Sequence, residues 1–203
     1  GVAGSTMSAY ARKLHNKWGI TDCRQREQED EEACKVLACK RRSMPFKDAI
    51  YRQAPDGHFL YDTSDSLFED MCSEDGALLE KLLEIFLGEY KAGDTYYFPM
   101  AKGGHVDHRI VNLAGMELVK RGCIVIFYKE FFYKSSVDAA ESCSIYEFSE
   151  ATLVKKIEAM MKYQSQLPVL YKEQMEEQLR KKLAEENLDI QTGKYIEMYK
   201  SHC

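Results

Sequence analysis

The sequence predicts an α/β protein with a mainly parallel sheet. Two stretches with strand character, residues 95–100 and 123–127, lie on either side of a stretch with helical periodicity that begins at Val106. Strands that alternate with helices in this way usually lie parallel in one sheet. The chain has 203 residues, 45% of them hydrophobic and 30% charged. This length and composition predict a single domain over residues 1–203 with a substantial core.

Local patterns predict the remaining elements. Acidic residues near the start of one predicted helix complement the positive end of its dipole, and Ser73 and Ser149 are suitable caps for two others. In chain order we expect a helical or irregular segment at 7–18, a helix at 23–39, a strand at 41–46, a short helix near 66–72, a helix after Ser73, the strand at 95–100, the helix from Val106 to about 120, the strand at 123–127, a strand at 143–148, a helix from Ser149 to about 163, and a helix at 173–187.

The composition excludes several classes of protein. The net charge is −5, and lysine and arginine are scattered, so no basic patch predicts nucleic-acid binding. No apolar run approaches the length of a membrane span. The chain has seven cysteines, an odd number, and no Cys-x-x-Cys pair. We therefore expect reduced thiols in a cytoplasmic protein.

The main candidate site is the turn that joins the strand at 95–100 to the next helix. It contains two glycines, which let the backbone bend and approach a ligand, and two histidines three residues apart, which share a helix face. Open α/β sheets commonly bind ligands at such strand-to-helix turns. The turn reads Lys102-Gly103-Gly104-His105-Val106-Asp107-His108-Arg109.

Two histidines at this spacing suit a metal or a proton transfer. Imidazole is the commonest protein ligand for zinc, and the positive end of a helix dipole keeps a first-turn histidine neutral. Asp107, between the histidines, is placed to fix a tautomer. The same residues also fit a glycine loop capped by polar side chains without any chemistry, and the spacing alone does not decide between the two interpretations.

A second candidate segment, Asp48–Arg52, follows the predicted strand at 41–46. In a parallel sheet it should therefore reach the same edge as Gly103 and His105. Asp48 suits a hydrogen bond from a sugar hydroxyl, and Arg52 suits a hydroxyl or an anionic group. A structural Asp48–Arg52 pair that ties the loop is an equal alternative.

The histidine turn resembles the second signature of the PIG-L/LmbE-type zinc-dependent N-deacetylases, a Gly-His-x-Asp-His turn after a strand. Three less specific segments are also similar to this family: 47–52 to an Asp-Ala-Ile-Tyr-Arg segment, 126–133 to a Tyr-Glu-Asp-Phe-Pro-Tyr strand, and 162–167 to a Tyr-x-Ser-Gln stretch. Lys129, Glu130 and Phe132 depart from the second pattern. The resemblance covers nearly the whole chain and implies a Rossmann-like three-layer fold.

The resemblance implies a zinc-dependent hydrolase that removes an N-acetyl or other N-acyl group from an amino sugar or glycoconjugate. His108 would be a zinc ligand, His105 would stabilise an oxyanion or pass a proton, and Asp107 would orient a histidine. A catalytic zinc needs about three protein ligands and an open position for water. The expected substrate contacts are Asp48, Arg52, Gly103 and Gly104.

The family's first signature, His-x-Asp-Asp after the first strand, has no counterpart in the sequence. In the family it supplies two zinc ligands and the catalytic aspartate. Residues 1–4 resemble the end of the family's second strand, so we expect the chain to begin inside the domain, without the N-terminal strands. Taken by itself the chain should then be inactive, and the unpaired sheet edge should favour a homo-oligomer.

Two other functions fit the same residues. A non-catalytic carbohydrate-binding or interaction module with this fold would bind no zinc even in the full-length protein. A metal-dependent phosphoesterase would use His105, Asp107 and His108 with acidic residues from elsewhere in the chain, and residues 1–203 alone would bind metal.

Overall fold

The computed structural model describes residues 7–19, 23–130, 144–167, 174–189 and 194–202. The chain forms two compact units. One contains Gly1–Pro45 and Glu147–Ile196, and the other contains Phe46–Tyr146 and Glu197–Cys203. The family resemblances at residues 1–4 and 131–133 lie outside the described residues.

Helices and strands follow one another in both units, which confirms the predicted α/β class. The helices are α1 (Ala9–Trp18), α2 (Cys23–Leu37), α3 (Gly76–Glu89), α4 (Val106–Lys120), α5 (Glu150–Met160) and α6 (Met175–Asn187). The strands are β1 (Thr95–Pro99), β2 (Ile124–Tyr128), β3 (Ser144–Phe148), β4 (Leu188–Asp189) and β5 (Lys194–His202). Two 3₁₀ turns, Ala49–Tyr51 and Ser73–Asp75, complete the regular elements of the described residues.

The first unit is mainly helical. Helix α5 packs against both α2 and α6, and their facing sides bury small and branched apolar residues. As predicted, Ser149 caps α5, because its hydroxyl accepts a hydrogen bond from the Thr152 N–H at 3.2 Å. The buried Glu29 carboxylate on α2 accepts hydrogen bonds from the Ser165 N–H and hydroxyl at 2.7 and 2.6 Å. This contact ties the segment after α5 to α2.

The second unit places α4 on a short sheet. Strands β1 and β2 are parallel, in a register that runs from Thr95–Ile124 to Pro99–Tyr128. The last residues of β5, Tyr199–His202, pair antiparallel with β2. Helix α3 packs against α4. Because the carboxyl ends of β1 and β2 lie side by side, the chain segments that follow them leave from the same edge.

Some predicted elements were wrong. Residues 41–46 contain no strand, since Pro45 cannot donate a ladder hydrogen bond and Arg41 instead contacts Asp30 of α2 at 3.4 Å. Residues 66–72 form turns rather than a helix. Strands β4 and β5 had no counterpart in the sequence analysis, although the aromatic and β-branched residues of β5 suit a strand.

The contact between α4 and the sheet is close at Gly115. A methyl group added there would lie 2.8 Å from Cε1 of Phe127 and 2.9 Å from Cγ of Phe98. Both rings are buried, so they have little room to move. Glycine at this position therefore lets α4 approach β1 and β2.

We expect Gly115→Ala to lower the free energy of unfolding by about 1–3 kcal/mol, the usual cost of overpacking a core. Gly88→Ala is the matched control, because Gly88 lies in α3 with nothing within 4 Å of the added methyl group. That variant should be neutral or more stable by up to about 1 kcal/mol, the helix propensity difference. Urea denaturation of both variants measures the difference, and equal effects would contradict the close contact.

Candidate active site

The turn between β1 and α4 is a tight loop with two left-handed residues. Ala101 has a φ of 57° and Gly104 a φ of 75°. The Gly104 N–H donates to the Ala101 carbonyl at 3.0 Å, and the Met100 N–H donates to the Tyr128 carbonyl at 2.8 Å. A side chain at residue 104 would be strained, so this glycine is needed for the loop conformation.

His105 is the N-cap of α4. Its Nδ1 accepts a hydrogen bond from the Asp107 N–H at 3.2 Å, which is the task that serine or aspartate performs at most helix starts. A neutral ring that accepts at Nδ1 carries its hydrogen at Nε2. Burial lowers the pKa of His105, because desolvation disfavours the charged ring. His105 is therefore a neutral ring with a donor at Nε2, and burial rather than the helix dipole is the main cause.

His108 has the opposite tautomer. Its Nδ1 lies 3.0 Å from Oε1 of Glu130, which is buried. Burial raises the pKa of Glu130, but hydrogen bonds from His108 and from backbone N–H groups outweigh it and the net pKa is lowered. An ionised carboxylate only accepts, so Nδ1 of His108 carries a hydrogen, and in the neutral ring Nε2 carries the lone pair.

Asp107 contacts the segment after Lys47 rather than a histidine ring. Its carboxylate accepts a hydrogen bond from the Ala49 N–H at 3.2 Å and from Nη1 of Arg52 at 2.6 Å. Asp107 still acts on His105, but through its backbone N–H. The task of orienting a histidine ring by a carboxylate, which the family resemblance implied for Asp107, falls to Glu130 in this structure.

Arg52 is the centre of a buried polar network. Its Nε lies 3.1 Å from Oδ1 of Asp75, and the two atoms form an ion pair whose geometry is not that of a hydrogen bond. The guanidinium carbon lies over the Tyr61 ring, 5.0 Å from the ring centroid. The Tyr61 hydroxyl donates to Oδ2 of Asp75 at 2.7 Å and accepts from the Cys72 N–H at 2.9 Å. Because buried charges are costly unless they are paired, this network holds the Asp107 carboxylate in place.

The loop before α3 lies against the start of α4. The Val106 N–H donates to the Leu67 carbonyl at 2.8 Å, and Arg109 forms an ion pair with Asp70 at 3.0 Å. These contacts place the exposed Phe68 ring edge-on against His105, with ring centroids 5.6 Å apart. An aromatic surface therefore borders the histidine pair.

The structure brings most of the predicted site residues together. His105 and His108 have ring centroids 5.5 Å apart, and Arg52 reaches Asp107. Asp48 is exposed and acts electrostatically on His105. Gly103 and Gly104 form the turn beside the histidines.

The sequence analysis missed Glu130, Asp75 and Phe68 as members of this site. In the sequence analysis Glu130 was only a residue that departs from the family's strand pattern. A usable signal existed, because Glu130 lies two residues after β2, at the edge where a parallel sheet places its ligands. For Asp75 and Phe68 we find no comparable local signal.

The described ranges contain neither a ready-made metal cluster nor a membrane-spanning helix. No group of three or more histidine, cysteine, aspartate or glutamate residues in them is arranged to hold a metal ion. Likewise, none of the helices in these ranges is both long and apolar enough to cross a membrane.

The known proteins that this chain is similar to include several deacetylases. No family model matches the chain. The 2'-N-acetylparomamine deacetylase of Niallia circulans is 35% identical over 111 residues, which are 53% of this chain and 40% of that protein. The chain thus spans well under half the length of this relative.

Solved structures of deacetylases share the fold. A deacetylase complex from the teicoplanin biosynthesis pathway aligns with a TM-score of 0.77 at 21% identity, over 99% of this chain and 82% of that one. The zinc-inhibited form of teicoplanin deacetylase Orf2 aligns with a TM-score of 0.77 at 20% identity, over 99% and 83%. The A40926 pseudoaglycone deacetylase Dbv21 gives 0.71 at 22% identity, over 98% and 80%. The fold is therefore that of these enzymes.

The lowered pKa of His105 predicts a change of stability with pH. Unfolded histidine has a pKa of about 6.5. As the pH falls below that value, residue 105 becomes protonated in the unfolded chain while it is still neutral in the folded protein. Stability should be fully present above about pH 6.5 and should fall as the pH drops towards the lower pKa of the folded state. In His105→Asn, which keeps an N-cap acceptor but does not titrate, this dependence should be weaker.

The measurement is urea denaturation of the metal-free protein between pH 8 and pH 5. The two proteins should have a nearly constant stability difference above pH 7, and the difference should shift in favour of the variant at lower pH. Parallel curves over the whole range would show that burial does not act on the His105 ring.

Proposed function

We propose that this chain forms one side of the active site of a metal-dependent N-deacetylase that acts on an amino sugar or glycoconjugate. The observation that supports the proposal is the opposite hydrogen bonding of two adjacent rings, whose Nδ1 atoms face a backbone N–H and a carboxylate respectively. Hydrogen bonding gives His105 a donor at Nε2 and gives His108 a lone pair at Nε2. Amide hydrolysis needs both: a donor for the developing oxyanion and a nitrogen that can bind a metal.

A divalent metal fits His108. Metal-binding histidines usually donate their second ring N–H to a carboxylate, and the buried Glu130 provides that acceptor at 3.0 Å. Since the described residues contain no cluster of three ligands, the proposed site takes its other ligands from outside them. Three buried polar atoms of this site, Oε2 of Glu130 and both Nε and Nη2 of Arg52, also lack a hydrogen-bond partner among the described residues.

The chemistry divides between the metal and the side chains. When bound, a divalent ion such as zinc lowers the pKa of water to about 7 and polarises the acyl oxygen. The Nε2 hydrogen of His105 donates to that oxygen as negative charge develops on it. Asp107, held by Arg52, keeps His105 in this tautomer through its backbone N–H.

An N-acylated amino sugar suits the surroundings of the histidines. Asp48 offers an exposed carboxylate for a sugar hydroxyl, and Gly103 and Gly104, which carry no side chains, are partly exposed in the turn beside the histidines. The substrate class is supported by the paromamine and teicoplanin deacetylases that the chain resembles.

Substitution of each histidine should separate metal binding from transition-state stabilisation. In the full-length protein, His108→Ala should lose the metal on dialysis, because it removes one of about three ligands. His105→Ala should keep the metal and lose about 10²–10³-fold in turnover, the cost of removing one oxyanion donor. Asp107→Asn should have a smaller effect, a loss of about 10–100-fold in metal affinity or turnover. His58→Ala, at an exposed turn of the same unit, is the control.

Metal content and turnover of an N-acetylglucosamine-type substrate are the measurements, with zinc, cobalt and manganese each tested. If both histidine variants lose the metal equally, both are ligands and the assigned roles are wrong. A full-length protein without metal or turnover would favour the non-catalytic binding module. Turnover of phosphate esters instead of amides would favour the phosphoesterase.

Glu130 should control how tightly His108 binds the metal. Glu130→Gln keeps the shape of the side chain but loses the charge that fixes the His108 tautomer, so metal affinity should fall about 10–100-fold. Glu117→Gln is the matched control, because Glu117 lies on α4 and pairs only with Lys120 among the described residues. Competition with a chelating dye measures the affinities, and ¹⁵N spectra of the rings report the tautomers. Equal affinities would contradict the role of Glu130.

A further inference from the structure

Two cysteines meet at the carboxyl end of α2. The Ala38 N–H donates to the Lys35 carbonyl at 3.1 Å, and the Cys39 N–H donates to the Cys34 carbonyl at 3.0 Å. Between these bonds Ala38 adopts a left-handed conformation, with a φ of 55°. The two hydrogen bonds and the left-handed residue form a Schellman motif.

In this motif the residue after the left-handed position commonly packs on the residue five positions earlier. Here both residues are cysteines. The neighbouring Cys39 side chain, followed by burial, raises the pKa of the Cys34 thiol. Two residues whose backbones are joined by a direct hydrogen bond suit the short Cα–Cα distance of a disulfide.

The pair also differs from the other thiols in its surroundings. Cys39 is exposed and Cys34 is half-buried, so reagents can reach them. Cys123 is buried, and Cys72 donates to the Leu60 carbonyl. Of these four thiols, Cys34 and Cys39 are thus the pair that is both adjacent and accessible.

We propose that Cys34 and Cys39 form a dithiol site that is oxidised by small-molecule or protein disulfides. The Cys39 thiolate attacks one sulfur of the incoming disulfide, whose S–S bond breaks and whose other half leaves as a thiolate and takes up a proton. Cys34 then loses its proton to solvent and attacks the Cys39 sulfur of the mixed disulfide, which releases the second thiol. Two protein thiols are oxidised, and one disulfide is reduced to two thiols.

The assay treats the full-length protein with oxidised glutathione at pH 8, alkylates the remaining thiols, and digests with trypsin. Cleavage after Lys35 separates Cys34 from Cys39 in the sequence, so a disulfide between them must hold the two peptides together until reduction. We expect this linked pair in the wild-type protein. In Cys34→Ser the reaction should stop at a glutathione adduct on Cys39.

Ala38 provides a matched pair of geometric variants that keep both thiols. Ala38→Val should reduce the effective concentration of the two thiols by about tenfold, because β-branched residues strongly resist the left-handed conformation. Ala38→Gly adopts it readily and should retain the wild-type value. Circular dichroism before oxidation shows whether each variant is folded.

Three results would overturn the proposal. One is a lasting glutathione adduct on Cys39 of the wild-type protein. The second is a disulfide from either cysteine to a different one. The third is equal oxidation of the valine and glycine variants.

Discussion

The candidate site depends on the close approach of α4 to the β1–β2 pair. Gly115 permits that approach because a methyl group there would overlap the Phe98 and Phe127 rings. The parallel register then places the ends of both strands side by side. Helix α4 begins at this edge and Glu130 follows β2 there, so His108 in the first turn reaches the carboxylate. A wider separation of helix and sheet would break this contact.

Burial and hydrogen bonding act together on the histidines of the site. Desolvation lowers the pKa of His105 and so favours its neutral form, but it does not choose between the two tautomers of a ring. That choice comes from one partner for each ring: a backbone N–H for His105 and a carboxylate for His108. Two acidic residues near the same helix start therefore act differently. Glu130 orients a ring, whereas Asp107 joins its helix to the Arg52 network.

The Arg52 network has a cost that matters for function. Arg52 and Asp75 are buried, and removing charges from water is favourable only when each has partners. Tyr61, Asp75 and Asp107 provide them around one guanidinium. Such a cluster adds little net stability, but it holds a segment of the chain in one position. In the proposed deacetylase the gain is a preorganised Asp107, which holds the donor His105 in place before the reaction.

The sequence alone determined the elements whose signals are local. The periodicity after Val106, the strand composition of 95–100 and the cap at Ser149 all predicted elements that the structure contains, because a helix or cap depends on residues a few positions apart. The histidine pair was found for the same reason. The absence of a strand at 41–46, the pairing of β5 with β2, the Glu130–His108 contact and the partners of Arg52 were decided only by the tertiary structure. These features join residues far apart in the chain, and their energies come from desolvation and long-range pairing, which no short window of sequence reports.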